Sequence, residues 1–434
     1  MIKILSSYNG NYFVALKKKE HISTKIDVII DEKITYQTLL GFGGALTEAA
    51  YFNYSCLSEV QKEEFINSVF GKEGLNYNLI RITIGSCDFS CSTYDYLESG
   101  EFSLKHDIDT IIPFIKKGKA IKGLMVFASP WSPPAIYKTN GIRQHGGKLK
   151  LDCYTNYASY LINYLKSMKD NGVKIDFMSI QNEPKAVQIW DSCIYEGEEE
   201  GKLVKVLYPL LLKNDLSTKL FIWDHNKDII VDRVKETIDE ENNDYIYGIA
   251  YHWYDNFCNQ ELSKVHDLYS DKVLLFTEGC VELLLLDQDN PSKNIGNFEN
   301  GLRYAKNYIL DSENYSSGFI DWNLLLDEKG GPNYVGNFCE APIMFDHKEK
   351  KLIYNPSYYI ISHFSRFLER GDVRINTKVI NTFVIATTYK KVDNTYINIL
   401  LNQGDKTTIT IKFIDEVFSV NLEANSVTTI IYKK

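Results

Sequence analysis

Eight short apolar runs, separated by helical patterns, constrain this chain more than any other feature. They are Leu39–Ala45, Leu79–Ile84, Leu124–Ala128, Ile175–Ile180, Leu220–Trp223, Ile246–Ala250, Val273–Phe276 and Gly318–Trp322. A strand buried on both faces reads as a continuous apolar run. Between the runs the apolar residues recur at spacings of three and four, most clearly over Tyr154–Leu165, and Ser58 stands where a helix N-cap is expected. Strands alternating with helices predict an α/β chain folded as a (β/α)8 TIM barrel. The first run carries three glycines, which weaken it as a strand. On either side the pattern changes to short alternating pieces: Phe13–Leu16 and Ile26–Ile30 before the barrel, then Val379–Ile385, Tyr396–Leu401, Thr408–Phe413 and Val427–Tyr432 after it. These read as antiparallel strands. The expected division is a barrel over 38–371 and an accessory all-β sandwich built from 1–37 plus 372–434.

Chemistry in such barrels sits where the strands end, so the residues just after each run carry the functional argument. They are Ser86–Phe89, Ser129–Pro134, Asn182 and Glu183, Asp224 and His225, His252–Tyr254, Glu278, and Trp322 and Asn323. Random loops would scatter these polar and aromatic types. Two of the ends deliver a glutamate, and two carboxylates facing each other across one pocket are what a retaining glycosidase requires. Arg81 points either into the barrel or onto a helix. Inside the barrel mouth Glu278 is its natural partner, since a buried guanidinium needs a carboxylate. That contact would hold Glu278 ionised, whereas an acid at Glu183 must keep its proton, so a less polar setting should raise its pKa. Tyr254 could orient Glu278 through its hydroxyl. His252 is either a hydrogen-bonded core residue or part of the site, and Asp88 either caps a turn or bonds sugar hydroxyls.

Composition removes several classes. A net charge of −9 disfavours a nucleic-acid or anionic-membrane partner. No apolar run approaches the ~20 residues that span a bilayer. Residues 1–10 lack the features of a signal peptide, so a cytoplasmic location is expected. The eight cysteines show no paired spacing, so free thiols are expected. No metal-ligand set is visible, and no metal or other cofactor is expected. Thirty tyrosines suit sugar binding, although compositional bias is the simpler account of them.

The motifs taken together resemble glycoside hydrolase family 30, and most of all its glucosylceramidase branch. They are Gly41–Glu48, Ser86–Phe89, Ser129–Pro133, Lys138–Gly141, Asn182–Pro184, His252–Tyr254, Thr277–Cys280, Asp321–Leu324, Gly330–Asn333, Asn337–Phe338 and His363–Ser365. The resemblance implies Glu183 as acid/base and Glu278 as nucleophile. It also implies Asp88, Trp131, Asn182, Trp322 and Asn337 as sugar-binding residues. Gln181 and Gly279 depart from the mammalian pattern, as do the loops 185–200 and 281–297. The expectation is a retaining β-glucosidase, glucosylceramidase-like, acting on a small glycoside or glycolipid. Three alternatives stand beside it: a β-xylosidase or endo-β-1,6-glucanase of the same family, a non-catalytic carbohydrate-binding protein, and a metal-dependent hydrolase using Asp224, His225 and His252. The leucines of Val281–Leu286 either wall the leaving-group site or begin a helix and pack inward.

Overall fold

The computed structural model describes residues 2–20, 25–98, 100–121, 123–413 and 416–433. The ends of the expected side domain, Met1 and Lys434, and its residues 21–24, 414 and 415 lie outside them. Eight parallel strands close a barrel in chain order: Gly41–Leu46, Leu79–Ile84, Met125–Pro130, Phe177–Ser179, Lys219–Asn226, Ile246–His252, Val273–Glu278 and Ser316–Asp321. Each contains or overlaps an expected run. Closure is between the eighth strand and the first, Gly318 pairing with Gly41 and Asp321 with Gly44. The glycine-rich first run is therefore a strand, and its glycines serve close approach. A Cβ on Gly43 would come within 2.4 Å of the Leu79 carbonyl oxygen, and one on Gly44 within 2.4 Å of Leu324 Cδ2.

The barrel interior is filled at one level by Leu79, Phe127, Phe177, Phe221, Ala250, Leu275 and Ile320. Phe127 and Phe177 both meet Phe221 edge-on, with centroids 5.2 and 5.7 Å away. This apolar plug makes the barrel a packed core rather than a pore. Outside it, Ser58 caps the helix Glu59–Phe70 in a reciprocal box with Gln61, and Tyr154–Asp170 buries one face.

Among the described residues, nine strands from both ends of the chain form one sheet. Its order is Asn11–Leu16, Ile2–Tyr8, Ser426–Lys433, Thr395–Asn402, Val384–Lys390, Val373–Val379, Val28–Thr38, Thr407–Phe413 and Glu416–Leu422. Phe413 lies four places from Thr395–Asn402 in that order. Its ring nevertheless sits 5.8 Å from Tyr396 and 4.9 Å from Tyr432. The sheet is thus folded over on itself, and the two layers of the expected sandwich are one continuous ladder. Val379–Ile385 is not one strand as its alternation suggested. The chain turns there, with Asn381 Oδ1 accepting from the Phe383 N–H at 2.9 Å. Leu39 and residues 371–372, where the chain enters and leaves the barrel, are hydrogen-bonded to each other. Buried His363 ties the helix Pro356–Ser365 to Ser7 and Thr429 of the sheet at 2.7 and 2.8 Å.

Candidate active site

The C-terminal strand ends surround a cavity of about 330 Å³. Asp88, Trp131, Asn182, Glu183, Tyr254, Glu278, Trp322 and Asn337 all line it. Arg81 and His252, the other two residues singled out in the sequence, lie fully buried against its carboxylates. A larger cleft of about 750 Å³ opens at the opposite ends of the strands, by Leu39, Tyr247 and Val273, and holds no pair of glutamates.

Arg81 points into the barrel. Its Nη1 donates to Glu278 Oε2, its Nη2 donates to Asn182 Oδ1 (2.8 Å) and Asp224 Oδ2 (2.9 Å), and its Nε donates to Ser129 Oγ (3.1 Å). Its guanidinium faces the rings of Trp131 and Trp322 at 4.9 and 5.5 Å. Tyr254 donates its hydroxyl to the other Glu278 oxygen at 3.1 Å. Both oxygens of the nucleophile candidate are therefore aligned by donors.

Glu183 has different neighbours. His252 Nδ1 lies 3.1 Å and His225 Nδ1 3.6 Å from its Oε1. The fifth strand shifts register between Trp223 and His225, and Trp223 and Asp224 both have positive φ (74° and 53°). Glu183 itself sits at φ 46°. Side chains other than glycine pay for this left-handed region, and such strain gathers at functional sites. Asp224 is saturated: besides Arg81 it accepts from Ser129, Ser179, Thr277 and His252.

The electrostatics correct the sequence expectation. Burial alone would raise Glu183, but the adjacent His225 and His252 outweigh it and hold the carboxyl below its ordinary range. Burial pushes Glu278 up, beyond what His252 and Arg81 can reverse. His252 is buried too, yet Glu278, Asp224 and Glu183 lift it to about 9, so it is a cation at neutral pH. The proton expected on Glu183 thus rests on His252 in the unliganded protein. Asp88 is raised to about 7 by burial, and Asn337 Nδ2 donates to it at 3.0 Å.

Trp131 and Trp322 stack at 5.3 Å. Gln181, one of the two departures, donates Nε2 to the carbonyls of Trp131 and Asn182. At the other, Gly279, a Cβ would press on Phe276 and Trp253. Sequence reasoning missed Gln188, Trp190, Asn226, Glu282, Cys280 and Cys339, which also line the cavity. The two non-matching loops supply Gln188, Trp190 and Glu282, and that mismatch was the available signal. Leu283–Leu286 is one short helix in which both readings hold: Leu283 is buried, while Leu284 and Leu285 line the cavity. All eight cysteines are free.

The sequence showed no ligand cluster, but the fold makes one. Glu183, His225 and His252 each bring a donor atom within 4.8 Å of the others. Asp224, named for the metal-dependent alternative, has both oxygens engaged and takes no part.

Residues 39–368 match the glycosyl hydrolase family 30 TIM-barrel domain. The chain is 31% identical to putative glucosylceramidase 3 of Caenorhabditis elegans, over 99% of this chain and 87% of that protein. The structure of SrfJ from Salmonella typhimurium superposes with a TM-score of 0.94 at 32% identity, covering 100% of both chains. The endo-β1,6-glucanase BT3312 superposes with a TM-score of 0.86 at 27% identity, covering 100% of this chain and 99% of that one.

Proposed function

The chain belongs to glycosyl hydrolase family 30, and from that premise we propose a retaining, exo-acting β-glucosidase of glucosylceramidase type. Glu278 attacks the anomeric carbon while the bond to the leaving oxygen breaks, and Glu183 gives that oxygen a proton. Water deprotonated by Glu183 then displaces Glu278 and frees the sugar. The observation that carries these roles is the unequal holding of the two carboxylates. Arg81, which cannot lose its charge, and Tyr254 fix both Glu278 oxygens, whereas Glu183 faces titratable histidines. A glucoside filling the cavity strips water from Glu183 and favours its neutral form. His252 Nδ1, already hydrogen-bonded to it, supplies the proton.

Asp88, Asn337, Trp131 and Asn182 take the sugar hydroxyls and Trp322 forms a floor. A volume near the lower end of the roughly 300–1,000 Å³ typical of ligand pockets suits one sugar ring and the start of a leaving group. Leu284, Leu285 and Trp190 offer that group an apolar wall, which suits a lipid. Gln188 and Glu282 on the same rim, with the likeness to BT3312, favour a second reading as an endo-β-1,6-glucanase.

The test has two arms. With azide present, Glu183→Ala should release a β-glucosyl azide and Glu278→Gly an α-glucosyl azide from an activated aryl glucoside. The reverse pattern would exchange the roles. Wild-type turnover of glucosylceramide against a β-1,6-linked glucan separates the two substrates, and exclusive cleavage of the glucan would overturn the first reading.

A further inference from the structure

The cluster beneath the cavity has the geometry of a metal site. Glu183 Oε1 lies 3.1 Å from His252 Nδ1 and 3.6 Å from His225 Nδ1. A tetrahedral zinc ion with bonds of about 2.0–2.1 Å sets its ligands about 3.3 Å apart. The two measured edges bracket that separation, and all three donor atoms fall within 4.8 Å. Among the described residues no other three His, Cys, Asp or Glu side chains form such a group.

Two further observations point to a ligand. His225 Nδ1 is buried without a hydrogen-bond partner, and an orphaned buried nitrogen needs an explanation. His252 Nε2 lies 3.1 Å from Asp224, whose other contacts hold it rigid. A metal-bound imidazole usually donates its second nitrogen to just such a carboxylate. The three residues come from the ends of the fourth, fifth and sixth strands, so they are fixed by the barrel itself. Glu183 and His225 also line the cavity, so an ion held between them would face it.

We propose that Glu183, His225 and His252 bind one divalent transition-metal cation of the zinc class, and that the bound ion inhibits hydrolysis. Two imidazoles and one carboxylate suit zinc, cobalt or nickel and not calcium or magnesium. Inhibition rests on the reading of Glu183 as acid/base, because a coordinated carboxylate can neither carry nor accept the proton. Binding does not rest on it, and it releases the Nδ1 proton of His252 to water, because a ligating imidazole is neutral.

The experiment uses the full chain stripped by a chelator. Titration with cobalt(II) should give the visible bands of a tetrahedral site without a sulfur-to-cobalt band. The latter would place the ion on Cys280 and Cys339, whose sulfurs also border the cavity, and would overturn the proposal. Zinc should lower kcat/KM on an alkyl β-glucoside, whose poor leaving group needs the proton, at least ten-fold, and chelation should restore it. His225→Asn should weaken metal binding at least ten-fold by calorimetry. Glu183→Gln, read by binding alone, asks the same question if that variant does not fold. Unchanged affinity in the variant that folds would overturn the site. Tight, His225-dependent binding with no loss of rate would overturn the inhibition and the acid/base assignment together, and leave the site standing.

Discussion

The two carboxylates share a cavity and little else. Glu278 ends a regular strand and is gripped by Arg81 and Tyr254, groups whose charge does not change at neutral pH. Glu183 sits in a left-handed conformation against two histidines. One side of the site is built to hold a group still, the other to let a proton move. The same two residue types at two strand ends can thus be given opposite duties by what lies beneath them.

Removing each carboxylate should expose the contrast most strongly. Glu278→Gly should lower kcat/KM by about 10⁶ whatever the leaving group, the scale of losing a nucleophile. A loss that shrinks with better leaving groups would erase the distinction. Glu183→Ala should cost about 10³ on alkyl glucosides, within the usual range for general acid–base catalysis. It should approach wild type on a dinitrophenyl glucoside, as steady-state kinetics on a leaving-group series would show.

The proton-bearing side also predicts a stability profile. The folded pKa of His252, about 9, lies above the roughly 6.5 of a free imidazole, so its protonated form stabilises the fold. That contribution is full below about pH 6.5 and is lost as pH rises through about 9, on the order of 3 kcal/mol. Denaturant unfolding at pH 6 and pH 9.5 should show the fall, and His252→Asn should flatten it. An equally steep profile in the variant would place the titration elsewhere. The smallest effect belongs to the rim. Replacing Leu284 and Leu285 by Ser should cost about 1–2 kcal/mol in kcat/KM on a lipid-linked glucoside, from lost apolar contact. It should cost little on an aryl glucoside, and equal losses on both would remove the apolar wall.

The barrel was legible because strands buried on both faces leave an unbroken apolar run, as Val273–Phe276 does, and because each run ends in a change of residue type. The partner of Arg81 was legible because a guanidinium inside a barrel mouth requires a carboxylate. What stayed hidden depends on backbone detail. The gathering of His225 with His252 on Glu183 follows a register shift at Trp223, a residue whose type gives no hint of positive φ. The same limit applied to Gly43 and Gly44, whose need for small size comes from Leu79 and Leu324, far along the chain. At Val379–Ile385 the strand reading ran straight through a turn, because the adjacent polar pair Asn381 and Thr382, which a strand would put on opposite faces, comes with no glycine or proline to mark it.

The folded sheet carries a consequence in time rather than in space. Ile2 pairs with Tyr432, and Ser6 meets Thr428 from 422 positions away. The hairpin of Ile2–Tyr8 and Asn11–Leu16 is synthesised long before the strand Ser426–Lys433 that covers its Ile2–Tyr8 edge. Contacts of such long sequence separation form slowly. Until they do, that edge is a template for mispairing with another chain. The eight barrel strands need no such delay, since each pairs with the next as it is made and only the eighth must return to the first. Closing the barrel and closing the sheet are therefore separate events, and His363, which bonds to Ser7 and Thr429, can be satisfied only after the second.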